Sequence, residues 1–233
     1  TMFFLGSAAG LTQSLQSALL LTLTILLGLG MTFLVSRLLS ATVLKGVPSS
    51  FTLELPPYRR PQLGKVLVRS VFDRTLFVLG RAITVAAPAG ILLWVMANVG
   101  IQGQSLLAWA SGFLDPLARF MGLDGVILIA FILGFPANEI VIPIIIMAYM
   151  ANGSLIEMSS LSAMKDLFLA QGWTLTTAVC TLIFVLFHWP CSTTCLTIYK
   201  ETKSVQWTAA AILIPTVCGV VCCSLAAFIL RMF

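Results

Sequence analysis

Gly134-Phe135-Pro136-Ala137-Asn138-Glu139-Ile140-Val141-Ile142-Pro143 puts a carboxylate, an amide, a glycine and two prolines inside a strongly apolar run. Hydrocarbon offers no water to loose backbone groups, so a helix break at that depth lines a cavity or is buried in protein. A carboxylate there is costly and marks a functional site. Glu139 is read as part of a cation pathway; the structural alternative is a hydrogen-bond or salt-bridge partner of a neighbouring helix. A second stretch, His188-Trp189-Pro190-Cys191-Ser192-Thr193-Thr194-Cys195, has the same character.

Around these breaks the chain is apolar. Of its 233 residues, 59% are hydrophobic and 9% charged, and the mean hydropathy is +1.06. Soluble domains carry about 25% charged residues, so this is an integral membrane protein. Several runs reach the roughly 20 apolar residues that cross a bilayer as a helix, and no period-two pattern suggests a barrel. The net charge of +5 bears on orientation rather than on nucleic acid. The six cysteines all lie in apolar segments, unlike a secreted disulfide framework. The start lacks a basic n-region and is not read as a signal peptide. Thr1-Met2 fits a fragment of a longer chain.

The expected fold is an all-α polytopic membrane protein with about five spanning helices, two of them interrupted, plus amphipathic interfacial helices. The first span is Leu15 to Val35, with Gly28 and Gly30 as close-packing points. A basic, proline-broken connection runs to residue 60. Residues 62–80 read either as an amphipathic arm at the cytoplasmic headgroups or as the early turns of the next helix. Arg81 to Val99 is the second span, and 100–122 contains an outer interfacial helix. Residues 123–150, interrupted at 134–139, either cross once as a broken helix or dip in and return. A fourth span over 174–199 breaks around Pro190, and a fifth covers 206–230. The basic connection should be cytoplasmic. Five crossings would then put the start outside and the C-terminus inside; a re-entrant segment would change that count.

Chemically, a mid-membrane break frees backbone groups, which transporters use to hold ions. Gly134-Phe135-Pro136 ends one half-helix, Gly134 tolerating unusual dihedrals. Asn138 is a candidate cap for the next. Cys191 and Cys195, four apart, would share a helix face. A thiolate with a carboxylate, and an imidazole from His188, suits ferrous iron, manganese or zinc better than sodium or potassium. The metal candidates are Cys191, Glu139 and Asn138, followed by Cys195, His188 and Ser192. Each also has a bland reading: the cysteines as packing residues, His188 as a satisfied side chain, and Ser192, Thr193 and Thr194 bonded to their own backbone. No phosphate-binding loop, catalytic triad or HExxH helix is present, so no enzymatic machinery is read here.

Leu53-Glu54-Leu55-Pro56-Pro57-Tyr58-Arg59, Gly134-Phe135-Pro136-Ala137-Asn138-Glu139, Phe187-His188-Trp189-Pro190-Cys191-Ser192-Thr193-Thr194 and Lys200-Glu201-Thr202 together resemble the C-terminal membrane region of the ferrous iron transporter B family (FeoB). The resemblance divides the chain into 1–61, a spanning helix with its cytoplasmic linker, and 62–233, a gate-type transmembrane domain. It implies a permease portion passing Fe2+, the transported substrate, across the bacterial inner membrane. A GTPase domain, holding GTP and Mg2+, and a first gate half would lie outside this chain, in cis or on a separate chain. A small cytoplasmic accessory protein is a further implied partner, nucleic acid is not, and the surrounding medium is the lipid bilayer. Cys191 matches a cysteine of the family's membrane pathway. Ala137 stands where the first gate half carries its comparable cysteine, so a symmetric two-cysteine site within this chain is not expected. The alternative is a gate-type domain for another divalent metal or a nucleoside-like solute.

Overall fold

The computed structural model describes residues 11–42, 64–65, 68, 72, 75–101, 103–150 and 161–232. Helix α1 (Leu11–Thr42) is followed by α2 (Phe77–Asn98), a two-residue antiparallel pair β1 (Gly100–Ile101) and β2 (Gln104–Ser105), and α3 (Leu106–Phe120). Then come α4 (Gly125–Leu133), a 3-10 turn (Asn138–Ile140), α5 (Val141–Met150), α6 (Leu161–Ala170), α7 (Leu175–Phe187), α8 (Ser192–Thr202) and α9 (Val205–Met232). The all-α polytopic architecture stands. Three stretches, Ser14–Thr42, Leu175–Thr202 and Val205–Met232, are helical, long and apolar enough to cross a bilayer. Helix α2, 22 residues long, spans about 33 Å at 1.5 Å per residue. The LELPPYR connection and about half of the amphipathic stretch 62–80 lie outside the described residues.

The segment 123–150 takes the second of its two courses. It dips in and returns. Asp124, at the start of α4, accepts a hydrogen bond from the hydroxyl of Tyr149, near the end of α5. The two helices are therefore antiparallel legs of one hairpin. At the other end Gly134 closes the turn, and a Cβ there would meet Val141 Cγ2 at 2.5 Å and the Ala130 carbonyl oxygen at 2.9 Å. Its φ is an ordinary −74°, so glycine is required for space and not for an unusual dihedral. The legs, GVILIAFIL and VIPIIIMAYM, have no polar face, and helices apolar all round are buried. Ile127, Ala130, Ile144 and Ile145 are fully enclosed. A nine-residue leg is about 14 Å long, so the tip reaches about half of a 30 Å hydrocarbon layer.

Helix α3 bends away from α4 by 109°, as an interfacial helix would. Trp109, Phe113, Leu117 and Phe120 are exposed, and their spacing makes one stripe along it. Its inner face sits so close to α4 that a Cβ on Gly125 would lie 1.9 Å from the Ser111 carbonyl oxygen. Helix α7 starts at the hairpin base, where Trp173 donates to Tyr149, and its terminal break meets the hairpin tip, where Ser192 N–H donates to the Phe135 carbonyl. Phe131 packs edge-on against Phe184 between them at 4.8 Å. Of the two close-packing glycines expected in α1, Gly28 abuts Leu186 of α7 while Gly30 faces open space.

Contacts along the long helices fix the directions of α1 and α9. Met31 to Ser40 of α1 line a groove with Phe187 and Ile214 to Cys218, and Val35 to Thr42 with Leu213 to Val217. Helix α1 thus ends at the side where α8 ends and α9 begins. Helix α9 ends at the hairpin base, where Arg231 donates to the Arg119 carbonyl at 2.6 Å. With 123–150 returning, α1, α7–α8 and α9 are the stretches long and apolar enough to cross, and the C-terminus lies on the side where α1 begins. In the sequence, eight of the 13 basic residues fall from Arg37, near the end of α1, to Arg81, in α2; among the described residues Arg37, Lys200 and Lys203 stand at the same side, and Arg119, Lys165 and Arg231 are opposite. Cytoplasmic connections carry the Lys and Arg excess, so the charge asymmetry agrees with this course. Alkaline phosphatase fused after the last residue is expected to be active in a bacterial host, and a fluorescent protein fused there dark. The reverse pair would mean that 123–150 crosses.

Candidate functional site

The two interruptions touch. The first is Gly134–Ala137 followed by the 3-10 turn; the second is His188–Cys191 between α7 and α8. Pro190 lacks an N–H, and the ladder stops at His188, whose N–H still reaches the Phe184 carbonyl at 2.7 Å. Ser192 begins α8. Its N–H, one of the orphan donors of a helix start, reaches across to the Phe135 carbonyl at 2.9 Å. Its Oγ donates to the Pro136 carbonyl at 3.5 Å. These partners lie far away in sequence, whereas a serine at a helix start is expected to bond its own backbone.

Cys191 is the N-cap of α8, in an extended conformation (φ −61°, ψ 158°). Its half-buried Sγ lies 3.1 Å from both the Thr193 and the Thr194 hydroxyls. A sulfur at the start of a helix, with two hydroxyls beside it, is a soft donor that suits a first-row metal ion. The expected common face with Cys195 does not form, because Cys191 stands off the helix. Cys195 is buried, and its Sγ turns back to the Pro190 carbonyl at 3.5 Å.

His188 Nδ1 lies 2.8 Å from the Val185 carbonyl. A carbonyl only accepts, so Nδ1 carries the proton and the neutral ring keeps its lone pair at Nε2. Nε2 is buried without a hydrogen-bond partner among the described residues. The ring sits 5.1 Å from Phe131 and 6.3 Å from Trp189. Holding one imidazole nitrogen on a backbone carbonyl and leaving the other free is how metal-ligating histidines are oriented.

Asn138 and Glu139 stand in the 3-10 turn at the hairpin tip, both exposed on the surface of this chain. Asn138 does not cap: the cap position is Ala137, which makes no side-chain bond. Glu139 forms no ion pair among the described residues. Among those residues no group of three or more His, Cys, Asp and Glu side chains could hold a metal ion. The structure therefore brings the two breaks together through Ser192 but does not assemble Cys191, Glu139, Cys195 and His188 into a closed coordination shell. What it offers at the meeting point is one sulfur, two threonine hydroxyls and loosened backbone, with an acid and an amide on the tip.

The family model described as Gate, nucleoside recognition, matches residues 79–205. The model described as ferrous iron transport protein B C terminus matches residues 21–73. The chain is 31% identical over 212 residues to the Fe(2+) transporter FeoB of Staphylococcus aureus, covering 87% of this chain and 30% of that protein. It is 29% identical over 217 residues to the Fe(2+) transporter FeoB of Synechocystis sp., covering 92% and 34%. The protein of that name from Leptospira interrogans is 28% identical over 207 residues, covering 78% of this chain and 29% of its own length. The chain thus spans about a third of the length of these relatives. No solved structure matches it.

Proposed function

Since the chain belongs to the Gate family and is a C-terminal membrane region of the FeoB type, we propose that it forms the membrane permease portion of a ferrous iron uptake transporter. The observation that carries this reading is the hydrogen-bonded meeting of the hairpin tip with the broken span, Ser192 to Phe135 and Pro136. It sets Cys191 beside interrupted backbone at half the depth of the membrane. Substrate Fe2+ would be held by Cys191, Glu139 and Asn138, with His188 Nε2 as a spare nitrogen donor and Ser192 and Cys195 holding the backbone of the breaks. Mixed sulfur, nitrogen and oxygen donors suit a divalent first-row ion. An incomplete shell also suits passage, since conduction requires sites weak enough to leave.

Asn138 and Glu139 are exposed in this chain, and an exposed carboxylate is not tolerated against acyl chains. Their natural cover is the rest of the transporter, a first gate half and a GTPase domain, in cis or on a separate chain. GTP hydrolysis, with its Mg2+, belongs to that GTPase domain. A small cytoplasmic accessory protein and a bacterial inner-membrane location belong to the same reading. So does the division into 1–61, helix and linker, and 62–233, gate domain. The aromatic rings at the second break pack on one another, Phe184 on Trp189 at 6.0 Å, rather than forming a slot for a nucleoside-like solute. Cys191→Ser and Glu139→Gln are each expected to lower ferrous iron uptake by the complete transporter about threefold, a loss of about 0.7 kcal/mol. Uptake unchanged in both variants would remove the site.

A further inference from the structure

The hairpin's two ends are held very differently. At the tip the only inter-element bonds among the described residues are the two from Ser192. At the base a polar cluster joins three elements. Asp124 Oδ1 caps α4 by accepting from Ile127 N–H at 2.7 Å, and its Oδ2 accepts from the Tyr149 hydroxyl at the end of α5. That hydroxyl in turn accepts from Trp173 Nε1 at 2.8 Å. The indole is buried and lies flat on Phe168 of α6, with centroids 4.4 Å apart and planes within 10°. Gly172, at φ +80°, makes the turn that brings Trp173 back over this ring. Only the N-cap Thr174 separates Trp173 from α7, the helix that ends in the second break.

We propose that Asp124, Tyr149 and Trp173 are positioning residues that lock the base of the re-entrant hairpin to the start of α7 and so set the register in which the tip meets Cys191. Both partners of the tip contact hang from this one joint: α4 and α5 are joined through Phe135 and Pro136, and α7 leads into Cys191 and Ser192 at the start of α8. A rigid leg of nine residues turns a small rotation at the joint into a displacement at the tip, where the holding bonds are few. The inference builds on the ion-pathway reading, but its readout is the chemistry of Cys191 and not iron transport.

The test is the rate of Cys191 alkylation by N-ethylmaleimide in native membranes, read on the Cys191 peptide by mass spectrometry and normalised to folded protein. Tyr149→Phe keeps the ring and its contact with Phe168 and deletes both hydroxyl bonds. It is expected to raise the Cys191 rate about fivefold, the scale of one lost hydrogen bond. Trp173→Phe, which spares the Tyr149–Asp124 bond, should raise it by a smaller factor. Asp124→Asn, which still caps α4 and still offers Tyr149 a partner, should stay near the parent rate. A purely structural role would lower the yield of folded protein and leave its Cys191 rate unchanged. Parent rates in both Tyr149→Phe and Trp173→Phe would overturn the proposal. If these rates shift while Cys191→Ser transports normally, the joint stands and the ion pathway falls.

Discussion

Ser192→Pro is expected to lower ferrous iron uptake at least about tenfold while the protein still reaches the membrane. Ser192 is the first residue of α8, the position at which proline is best tolerated in a helix. Cys191 before it is already extended, the conformation a following proline demands. The substitution therefore leaves α8 intact and deletes both donors of Ser192, the N–H that reaches the Phe135 carbonyl and the hydroxyl that reaches the Pro136 carbonyl. A lost bond with an unsatisfied carbonyl at depth costs about 1–3 kcal/mol, and about 1.4 kcal/mol is tenfold. Ser192→Ala is the control. It keeps the N–H and loses only the 3.5 Å bond to Pro136, so its uptake should stay close to the parent's. Equal losses in the two variants would place the effect in the hydroxyl and not in the join between the breaks.

The positions of the breaks were legible in the sequence, because Gly134, Pro136 and Pro190 interrupt runs that otherwise have only apolar side chains. The course of the chain between them was not. A broken helix that crosses and a hairpin that returns have the same composition and the same half-lengths. Only a contact between residues far apart in sequence, Asp124 with Tyr149, separates them. With the return, the C-terminus moves to the side on which α1 begins, because 123–150 no longer counts as a crossing. The interfacial α3 was readable from its polar flanks. Its 1.9 Å approach at Gly125 was not, since a glycine at a helix start usually reports a turn.

Within the site, the sequence places Cys191 as a sulfur at a break, but the helix face it was expected to share with Cys195 does not form. Four-residue spacing predicts a shared face only if both residues are helical, and Pro190 holds Cys191 outside the helix. Its neighbours are instead Thr193 and Thr194, whose expected default was to bond their own backbone. Thr197 does follow that default, donating to the Thr193 carbonyl at 2.9 Å. Tyr149 and Trp173 belong to no motif. Their significance depends on a hydrogen-bonded chain that no local pattern encodes.

Protection of Cys191 by the substrate is the second large effect. If Fe2+ is held at this sulfur as it passes, it must occlude the thiol. Under anaerobic conditions, ferrous iron at about ten times its dissociation constant leaves about a tenth of the sites free. Alkylation of Cys191 should slow by that factor. Cys218 supplies the internal control: it lines the apolar groove between α1 and α9, and its rate should not change. The measurement in the complete transporter in native membranes is therefore the ratio of Cys191 to Cys218 alkylation with and without ferrous iron. A fall of about tenfold is the result expected of an iron path through the joined breaks; a ratio that ferrous iron leaves unaltered would contradict it.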